Sequence, residues 1–265
     1  MALQKTKTLM IEAKELNFSY FDTTVLKDIA FNIKESSICT ILGPNGSGKS
    51  TLIKVLDKLL KPKKGTVLIE NENLDKLSLR MVAKKIAYLP QETDISFSFS
   101  VFDVVLAGRA HNVGYLSQPS KQDLEIAQKA ISLVGIDHLR DKIYTQLSGG
   151  QKRLVLIAQA LAQQAKILLF DEPTNHLDFA NQYTILNLIK NLIKNNHLTA
   201  IITLHDPNLA AWFSDTIIMI KNGSLLNYGP TKAIMTAQNL SELYDEKITI
   251  LNNNGRLFII PSEFV

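Results

Sequence analysis

Apolar and polar residues alternate along the first part of the chain, which is the pattern expected of β-strands. The strand-like runs are Leu9–Tyr20, Ile29–Ile33 and Thr66–Glu70, and a glycine-rich segment lies among them. We therefore predict a small antiparallel sheet that packs beside the glycine-rich segment.

The pattern becomes helical from about residue 92 to residue 164. The runs Val101–Leu106, Leu124–Leu133 and Leu154–Ala162 have apolar residues at helical spacing and contain few residues that favour strands. This part of the chain is predicted to be a helical block inserted into the surrounding fold.

Strand and helix patterns alternate after the helical block. Lys166–Phe170 predicts a buried strand, Ala180–Lys194 a helix and Leu198–Leu204 a strand rich in β-branched residues. Alternation of this kind predicts a mostly parallel sheet with helices on both faces, so the predicted fold class is α/β.

Two hairpins are predicted near the end of the chain. Asn222-Gly223 separates the strand-like runs Thr216–Ile220 and Ser224–Tyr228, and this residue pair favours a two-residue turn. A second turn, at residues 252–255, separates two further short apolar runs.

The length of 265 residues and the hydrophobic content of 46% allow a substantial core and argue against a disordered chain. We interpret residues 1–265 as a single domain. In this interpretation a helical subdomain at about 92–164 is inserted into the α/β core, and a short hairpin extension follows at about 240–265.

The apolar runs, the net charge and the cysteine content bear on where the protein works in the cell. No apolar run approaches the roughly 18 residues that cross a bilayer, and Glu12 interrupts the N-terminal segment before a signal peptide could form, so we expect the protein inside the cell. The net charge of +4 suits a nucleotide or an anionic membrane surface and selects neither. Cys39 is the only cysteine, which excludes an intramolecular disulfide and favours a buried packing role.

The glycine-rich segment has the form G-x-x-x-x-G-K-[ST], which is typical of a phosphate-binding loop. It follows the apolar run Ile38–Leu42 and opens a predicted helix, Ser50–Leu60. The glycines allow a tight turn that aims backbone N–H groups at phosphate, Lys49 can reach the outer phosphates, and the Ser50 hydroxyl can hold Mg²⁺. The predicted nucleotide-binding residues are Gly43, Pro44, Asn45, Gly46, Ser47, Gly48, Lys49, Ser50 and Thr51.

Two carboxylates follow the apolar run Ile167–Phe170, which is a Walker B pattern. A buried strand delivers Asp171 and Glu172 to its carboxyl end, where ligands bind in open α/β sheets. Asp171 is predicted to hold Mg²⁺, and Glu172 to orient and polarise the attacking water as general base. Taken alone, the pattern is also compatible with acids that merely cap a strand.

The sequence LSGGQ at residues 147–151 precedes a predicted helix, Lys152–Gln164. Ser148 and the amides of Gly149 and Gly150 could form a second anion-binding site at the start of this helix. The alternative interpretation is an ordinary helix with a serine N-cap and a glycine turn.

The phosphate loop, LSGGQ and ILLFDEP occur in an order that resembles the nucleotide-binding subunit of an ATP-binding cassette (ABC) transporter. The resemblance covers nearly the whole chain. It implies ATP and Mg²⁺ as cofactors and a head-to-tail homodimer that holds two ATP molecules at its interface. In such a dimer the γ-phosphate bound by one subunit contacts the signature residues of the other, which here are Ser148, Gly149, Gly150 and Gln151.

Four further residues occupy positions that this family uses. Tyr20 corresponds to an aromatic side chain that stacks on adenine, although it could instead pack on Phe18 in the sheet. Gln91 resembles the glutamine that contacts Mg²⁺ and the attacking water. Asp178 resembles a residue of the loop that crosses the dimer interface. His205 resembles the histidine that contacts the γ-phosphate.

The resemblance also implies partners. Two transmembrane permease subunits would form the transport path, a substrate-binding protein would act through them, and no nucleic acid is expected. The chain would then lie at the cytoplasmic face of the inner membrane as a peripheral subunit. Phe97, Phe99 and Phe102 follow Gln91 and could form either the permease-docking surface or the core of the helical block.

Residues 104–111, VVLAGRAH, together with DEPTNHLD at 171–178, resemble importers of metal chelates such as iron–siderophore, haem and vitamin B12 complexes. Ala110 stands where such importers often have proline, so importers of zinc, manganese or molybdate stay open. Cassette proteins of the ribosome share DEPTNHLD but usually carry two cassettes and a charged linker. A non-catalytic binding module would need a damaged catalytic set, whereas Lys49, Asp171, Glu172 and His205 are all present.

Overall fold

The computed structural model of the chain describes residues 8–91, 97–114 and 117–264. Within these residues the strands are β1 (Leu9–Tyr20), β2 (Thr23–Lys34), β3 (Ile38–Leu42), β4 (Lys64–Ile69), β5 (Glu72–Asn73), β6 (Ile86–Leu89), β7 (Ile167–Phe170), β8 (Thr199–Leu204), β9 (Thr216–Lys221), β10 (Ser224–Pro230), β11 (Ile248–Asn253) and β12 (Arg256–Pro261). The α-helices of the same residues are α1 (Lys49–Leu56), α2 (Leu79–Lys85), α3 (Val101–Leu106), α4 (Lys121–Val134), α5 (Gly149–Ala162), α6 (Phe179–Asn195), α7 (Pro207–Phe213), α8 (Thr231–Ile234) and α9 (Ala237–Tyr244). Across these described stretches, no helix combines the length and the apolar character needed to span a bilayer.

In the described part of the chain, ten strands form one mixed sheet in the order β5-β4-β1-β2-β10-β9-β3-β8-β7-β6. Strands β9, β3, β8, β7 and β6 run parallel to one another, whereas β1, β2, β4 and β5 form an antiparallel part. The two parts meet where Ser224 of β10 pairs in parallel with Lys27 of β2. The α/β class is confirmed, while the antiparallel strands belong to this continuous sheet.

Strand β3 lies in the middle of the sheet and is buried at every position. Its alternate side chains enter two separate hydrophobic cores, because successive residues of a strand point to opposite faces. Ile38 and Leu42 belong to the core shared with the helical block, whereas Cys39 and Ile41 belong to the core shared with α1. The expected packing role of Cys39 is confirmed, and burial raises the pKa of its thiol to about 12. The phosphate loop therefore starts from a strand that is buried along its whole length.

Helix α1 ends at Leu56, so the predicted continuation to Leu60 is wrong. Lys58 adopts a left-handed φ of 62°, which an α-helix does not continue through. Its ammonium donates to the backbone carbonyls of Leu74 and Asp75, both at 3.0 Å. These contacts with a distant segment compensate for the lost helical turn, and a local sequence pattern does not reveal them.

Helix α5 begins at Gly149, three residues before the predicted start at Lys152, and ends at Ala162. Ser148 is the N-cap, and its Oγ accepts a hydrogen bond from the Gln151 backbone N–H at 3.4 Å. The Gln151 side chain accepts in turn from the Ser148 N–H at 3.1 Å, which completes a capping box. The two glycines of LSGGQ therefore belong to the first turn of the helix.

The helical block contains a buried ion pair between two of its segments. The Arg109 guanidinium donates to Asp123 Oδ1 at 2.9 Å, and both side chains are buried. Arg109 also donates to the Ala162 carbonyl at 2.9 Å and to Gln164 Oε1 at 3.0 Å. The predicted helices over 101–106 and 124–133 are confirmed, with α4 longer at both ends. The subdomain boundary near residue 92 falls on residues 92–96, outside the described residues, so the domain division stays an interpretation.

Both predicted hairpins are confirmed. In the β9–β10 turn, Asn222 and Gly223 have left-handed φ values of 49° and 80°, as their turn type requires. The β11–β12 hairpin packs on α7, where the Trp212 indole N–H donates to the Leu257 carbonyl at 2.7 Å. Asn208 exchanges two hydrogen bonds with the backbone of Ile259, at 2.7 and 3.1 Å.

Candidate active site

Four segments meet at the carboxyl edge of the parallel strands because of the strand register. Leu42 pairs with Leu204, Ile202 with Phe170, and Phe170 with Leu89, so β3, β8, β7 and β6 end side by side. The residues that follow these strands are the phosphate loop, His205, the carboxylates Asp171 and Glu172, and Gln91. Motifs far apart in sequence thus converge on one place.

A cleft of about 640 Å³ opens at this edge. Its lining residues are Tyr20, Val25, Asn45, Gly46, Gly48, Lys49, Ser50, Thr51, Gln91, Glu172, Asn175 and His205. Most of the residues predicted to bind nucleotide or catalyse its hydrolysis are therefore brought together. The signature residues 148–151 and Asp178 are not among the described residues that line this cleft.

The phosphate loop needs glycine at particular positions. Gly46 and Gly48 have left-handed φ values of 76° and 106°, and a Cβ on Gly43 would lie 2.2 Å from the Ile220 carbonyl oxygen. Lys49 folds back over the loop and donates to the carbonyls of Gly43 and Pro44 at 2.8 and 3.0 Å. Burial lowers the pKa of Lys49, and the negative charges of Glu172 and Asp171 oppose that shift.

The half-buried hydroxyl of Ser50 and the buried carboxylate of Asp171 fit a Mg²⁺ ion. The Ser50 hydroxyl donates to Asp171 Oδ1 at 3.1 Å, and the Thr203 hydroxyl donates to the same oxygen at 2.8 Å. Mg²⁺ prefers one or two carboxylates together with phosphate oxygens and water. The hydroxyl of Ser50 and the carboxylate of Asp171 have this chemistry beside the phosphate loop. Gln91 lines the same cleft and can add an amide oxygen.

The Glu172 carboxylate lies at the centre of the site. Its Oε1 is 2.5 Å from His205 Nε2, and its Oε2 accepts hydrogen bonds from Gln91 Nε2 at 2.6 Å and Asn175 Nδ2 at 3.1 Å. Glu172 is buried and has a left-handed φ of 48°, a strained conformation for a residue with a Cβ. Its backbone N–H donates to Thr203 Oγ1 at 2.7 Å. A single carboxylate is thus held by three side chains that face the cleft.

The sequence left two contacts open for Tyr20, and the structure shows one of them. Its ring meets Phe18 edge-on with centroids 4.8 Å apart and an angle of 84° between the ring planes. The side chain is nevertheless 41% exposed and lines the cleft. Packing on Phe18 is therefore observed, and stacking on adenine stays a prediction.

The signature loop and Asp178 lie next to each other. Asp178 caps α6 by accepting from the Asn181 backbone N–H at 2.9 Å and from the Asn181 amide side chain at 2.7 Å. A Cβ on Gly150 would lie 3.7 Å from Asn181, so the first turn of α5 packs beside that of α6. The residues predicted to bind ATP across the dimer interface therefore form a second group within one chain.

The sequence reasoning missed three residues of this site. Asn175 donates to Glu172, and Thr203 connects Asp171 with the backbone of Glu172. Arg153 is buried and contacts the backbone of Gln91 and of Glu172. A signal exists for Arg153, because it falls on the apolar stripe of α5 at helical spacing with the buried Leu156.

A mixed sheet whose parallel strands carry a phosphate loop, two carboxylates and a histidine at their carboxyl edge defines a P-loop ATPase. The family model for the ABC transporter matches residues 26–175, which is more than half of the chain. The chain therefore belongs to the ABC transporter family. It is an ATP-binding subunit and an ATPase, as the sequence resemblance predicted.

Known proteins match nearly the whole chain. The "Probable iron chelatin transport ATP-binding protein" of Helicobacter pylori is 38% identical over 253 residues, which cover 95% of this chain and 99% of the relative. The "Achromobactin transport ATP-binding protein CbrD" of Dickeya dadantii is 34% identical over 256 residues, which cover 96% of this chain and 91% of the relative.

Solved structures share the fold. A protein described as a metal-chelate type ABC transporter, in an inward-facing conformation, matches with a TM-score of 0.85 and 28% identity over 96% of this chain and 97% of that chain. The dimeric ATP-binding cassette MJ0796, bound to ADP and Pi after hydrolysis, matches with a TM-score of 0.72 and 28% identity over 84% of this chain and 99% of that chain.

Proposed function

We propose that this chain hydrolyses ATP in the cleft around Glu172 and thereby drives uptake of a metal chelate through a partner permease. One observation supports this chemistry best. The Glu172 carboxylate is held by His205, Gln91 and Asn175 in the cleft that the phosphate loop lines. Hydrolysis needs a base next to the γ-phosphate, and Glu172 is the buried carboxylate that lines this cleft.

The residues predicted from the sequence have separate roles in this proposal. The backbone N–H groups of the phosphate loop, to which Pro44 contributes none, bind the phosphates together with Lys49. Lys49 would exchange its two carbonyl partners for phosphate oxygens. Ser50, Asp171 and Gln91 would hold Mg²⁺, which neutralises phosphate charge when bound. Glu172 orients the attacking water and accepts its proton.

His205 and Tyr20 complete the proposed site. The imidazole Nε2 of His205 lies beside Glu172, from where it can donate to the γ-phosphate oxygen that gains charge. Tyr20 stands at the rim of the cleft, where its exposed ring can stack on adenine.

The proposed cargo is a metal chelate. An iron–siderophore complex is favoured over a haem or cobalamin complex. Two relatives that cover almost the whole chain are named for the transport of iron chelatin and achromobactin. The structure with the TM-score of 0.85 is described as a metal-chelate type transporter. These names favour chelates over free zinc, manganese or molybdate and over a role on the ribosome.

The proposed working assembly is a head-to-tail homodimer. The signature residues and Asp178 lie outside the cleft of their own chain, so a second subunit is needed to bring them onto the bound ATP. The dimeric MJ0796 cassette supports this arrangement by its likeness in fold. The dimer would close around ATP and open after hydrolysis, and this movement would drive uptake through the permease.

We place the permease on the helical block, at the cytoplasmic face of the membrane. Phe97 and Phe99 are 71% and 49% exposed, with ring centroids 5.8 Å apart, whereas Phe102 packs inward beneath Arg140. A groove of about 810 Å³ lies between α2 and α3, and its lining includes Leu79 and Leu106. A substrate-binding protein would act through the permease.

The substitution Glu172→Gln tests the proposed chemistry. We expect turnover to fall by at least about 100-fold, because the amide cannot accept the proton, while ATP binding persists and traps a closed dimer. Steady-state phosphate release and light scattering with ATP measure the two effects. Glu125→Gln removes an exposed carboxylate elsewhere and serves as the matched control. Hydrolysis at the wild-type rate by Glu172→Gln would show that another group is the base.

Capture of the Glu172→Gln variant from solubilised membranes with ATP tests the transport assignment. We expect a polytopic permease to copurify, because the trapped dimer stays in its ATP-bound form. A chelate-binding protein encoded or purified together with that permease would support the proposed cargo. Recovery of ribosomal proteins in place of a permease would overturn the transport role and leave the ATP chemistry intact.

A further inference from the structure

The buried arginine of α5 connects three segments that are remote in sequence. Arg153 Nη1 donates to the Pro90 carbonyl at 3.2 Å, and Nη2 donates to the Gln91 carbonyl at 3.2 Å. Nη2 also donates to the Glu172 carbonyl at 3.0 Å. One planar group therefore sets the distance between the segment after β6, the segment after β7 and helix α5 itself.

Arg153 is only 8% exposed, so its contacts replace water. Burial lowers the pKa of its guanidinium, and the negative charges of Asp171 and Glu172 act in the opposite direction. The charge is solvated by backbone carbonyls in a fixed fork geometry, which a flexible ammonium group cannot reproduce. A cation buried in this way has a position as well defined as that of the carbonyls around it.

Two of the three carbonyls that Arg153 contacts belong to Gln91 and Glu172, the residues proposed to position the catalytic water. Gln91 donates from its side chain to Glu172 Oε2 at 2.6 Å. The Glu172 peptide is held at its N–H by Thr203 and at its carbonyl by both Arg153 and the Asn175 N–H, the latter at 3.1 Å. The left-handed φ of Glu172 is strained, and it persists only because several contacts hold the backbone in that conformation. Arg153 is one of the groups that do so.

Helix α5 also carries the signature loop at its start. Arg153 lies five residues after the N-cap Ser148, which is about 7.5 Å along the helix axis at about 1.5 Å per residue. A helix of this length moves as a rigid rod on that scale. Any displacement of the signature loop therefore reaches Arg153, and through it Gln91 and Glu172.

We propose that Arg153 is a positioning residue that connects the signature loop of α5 to Gln91 and Glu172 of the same chain. It does not line the cleft, so it acts on turnover through these two residues and leaves nucleotide contacts alone. In the proposed dimer the signature loop contacts the ATP bound by the partner subunit. Arg153 would therefore couple ATP binding at that site to the positions of Gln91 and Glu172 in its own chain. This inference rests on the proposed role of Glu172.

Two substitutions separate geometry from charge. Arg153→Met keeps the apolar stem and removes every donor, whereas Arg153→Lys keeps the cation and loses the fork. We expect Arg153→Met to lower kcat by roughly 10- to 100-fold, because a displacement of about 1 Å at reacting groups has an effect of this size. Arg153→Lys should recover part of that loss. The affinity for a fluorescent ATP analogue should stay within about twofold of wild type in both, since the phosphate loop is untouched.

Lys152→Met is the matched control, because it removes a cation from the neighbouring position of the same helix. The Lys152 ammonium lies 5.8 Å from the ring centroid of Tyr144, and no contact with Gln91 or Glu172 is described for it. We expect its kcat to stay within about twofold of wild type. Thermal unfolding and nucleotide binding of each variant verify that the fold is intact, and Arg153→Lys carries the test if Arg153→Met does not fold.

The ATP dependence of turnover supplies the readout that a purely structural residue would not change. We expect the Hill coefficient of wild-type hydrolysis to exceed 1 and to fall toward 1 in Arg153→Met, because the two sites lose their connection. A variant that folds, binds ATP and keeps wild-type kcat and cooperativity would overturn the inference. Unchanged hydrolysis by Glu172→Gln would instead refute the proposed base, so the two failures are distinguishable.

Discussion

Asp57 follows the last residue of α1, where the free carbonyls of the helix already place partial negative charge. Burial raises the pKa of its carboxyl from 3.8 to about 7. The ordinary pKa of aspartate applies in the unfolded chain, so the folded protein binds this proton more tightly. The stability of the folded state should therefore fall as the pH rises from about 4 to about 7.

The substitution Asp57→Asn should remove this pH dependence. Above about pH 7 the variant should be more stable than wild type by up to about 4 kcal/mol, at about 1.36 kcal/mol per pKa unit. The difference should shrink as the pH falls and should vanish below about pH 3, where the carboxyl is neutral in both the folded and the unfolded state. Urea unfolding at pH 4.5 and at pH 8 measures the difference, with exposed Asp22→Asn as control. A pH-independent difference would contradict the prediction.

At the level of single residues, the sequence identified the groups that define the family and missed those that hold them in place. Lys49, Asp171 and Glu172 lie within contiguous motifs, which local spacing reveals. The Thr203 hydroxyl accepts from the Glu172 backbone N–H, and Arg153 donates to the Glu172 carbonyl. Such partners depend on the register of β7 and β8 and on the rotation of α5, neither of which a local pattern contains.

Among the elements, the helical block depends on the buried Arg109–Asp123 pair that joins the turn after α3 to α4 and α5. Hydrogen bonds from Ser120 and Arg109 hold the pKa of Asp123 well below its usual range. Removing one partner of a buried pair leaves the other charge uncompensated, which is more damaging than removing both.

We therefore expect Arg109→Met to destabilise the protein by about 3 kcal/mol. The double variant Arg109→Met/Asp123→Asn should recover part of that loss, because the amide carries no buried charge and can still accept from Ser120. Urea unfolding of the two single variants and the double variant gives the coupling energy. Additive losses would show that the pair has no net interaction.

The element boundaries show where pattern and tertiary contact disagree. The strands and helices with strong periodicity, such as α4 and β8, were predicted with errors of a few residues. Helix α1 ends early because Lys58 turns toward the segment after β5, and α5 starts early because Ser148 and Gln151 form a capping box. Strand β6 was not predicted, since its four residues carry no periodicity that separates a strand from a helix.

In the whole molecule, the separation of the signature loop from the cleft predicts complementation between two inactive variants. Lys49→Ala disables the phosphate loop, and Gly150→Asp places a carboxylate in the signature turn, where the nearest described contact of a new Cβ is Asn181 at 3.7 Å. In a head-to-tail dimer, a mixed pair keeps one intact phosphate loop opposite one intact signature loop.

Each variant alone should have almost no ATPase activity, because every site in its dimers has a damaged half. An equimolar mixture should regain about a quarter of the wild-type rate, since about half of the dimers are mixed and each holds one intact site of two. Steady-state phosphate release from the mixture, with each variant alone as control, measures the recovery. Failure to regain activity would argue that both halves of a site come from one chain.

The sequence by itself determined the class of the protein. The phosphate loop, LSGGQ and the two carboxylates after ILLF are contiguous, and each requires particular residue types at fixed spacing because phosphate and Mg²⁺ impose their own geometry. Alternating apolar runs were enough to predict an α/β sheet with a helical insertion, since burial alone selects that pattern.

Only the tertiary structure decided how these motifs are combined. The parallel register of β3, β8, β7 and β6 brings His205, Glu172 and Gln91 to the phosphate loop, and the buried guanidinium of Arg153 connects them to α5. The same fold keeps the signature residues away from that cleft. These relations depend on long-range packing, in which residues separated by more than sixty positions share one hydrogen-bond network, so a local sequence pattern does not contain them.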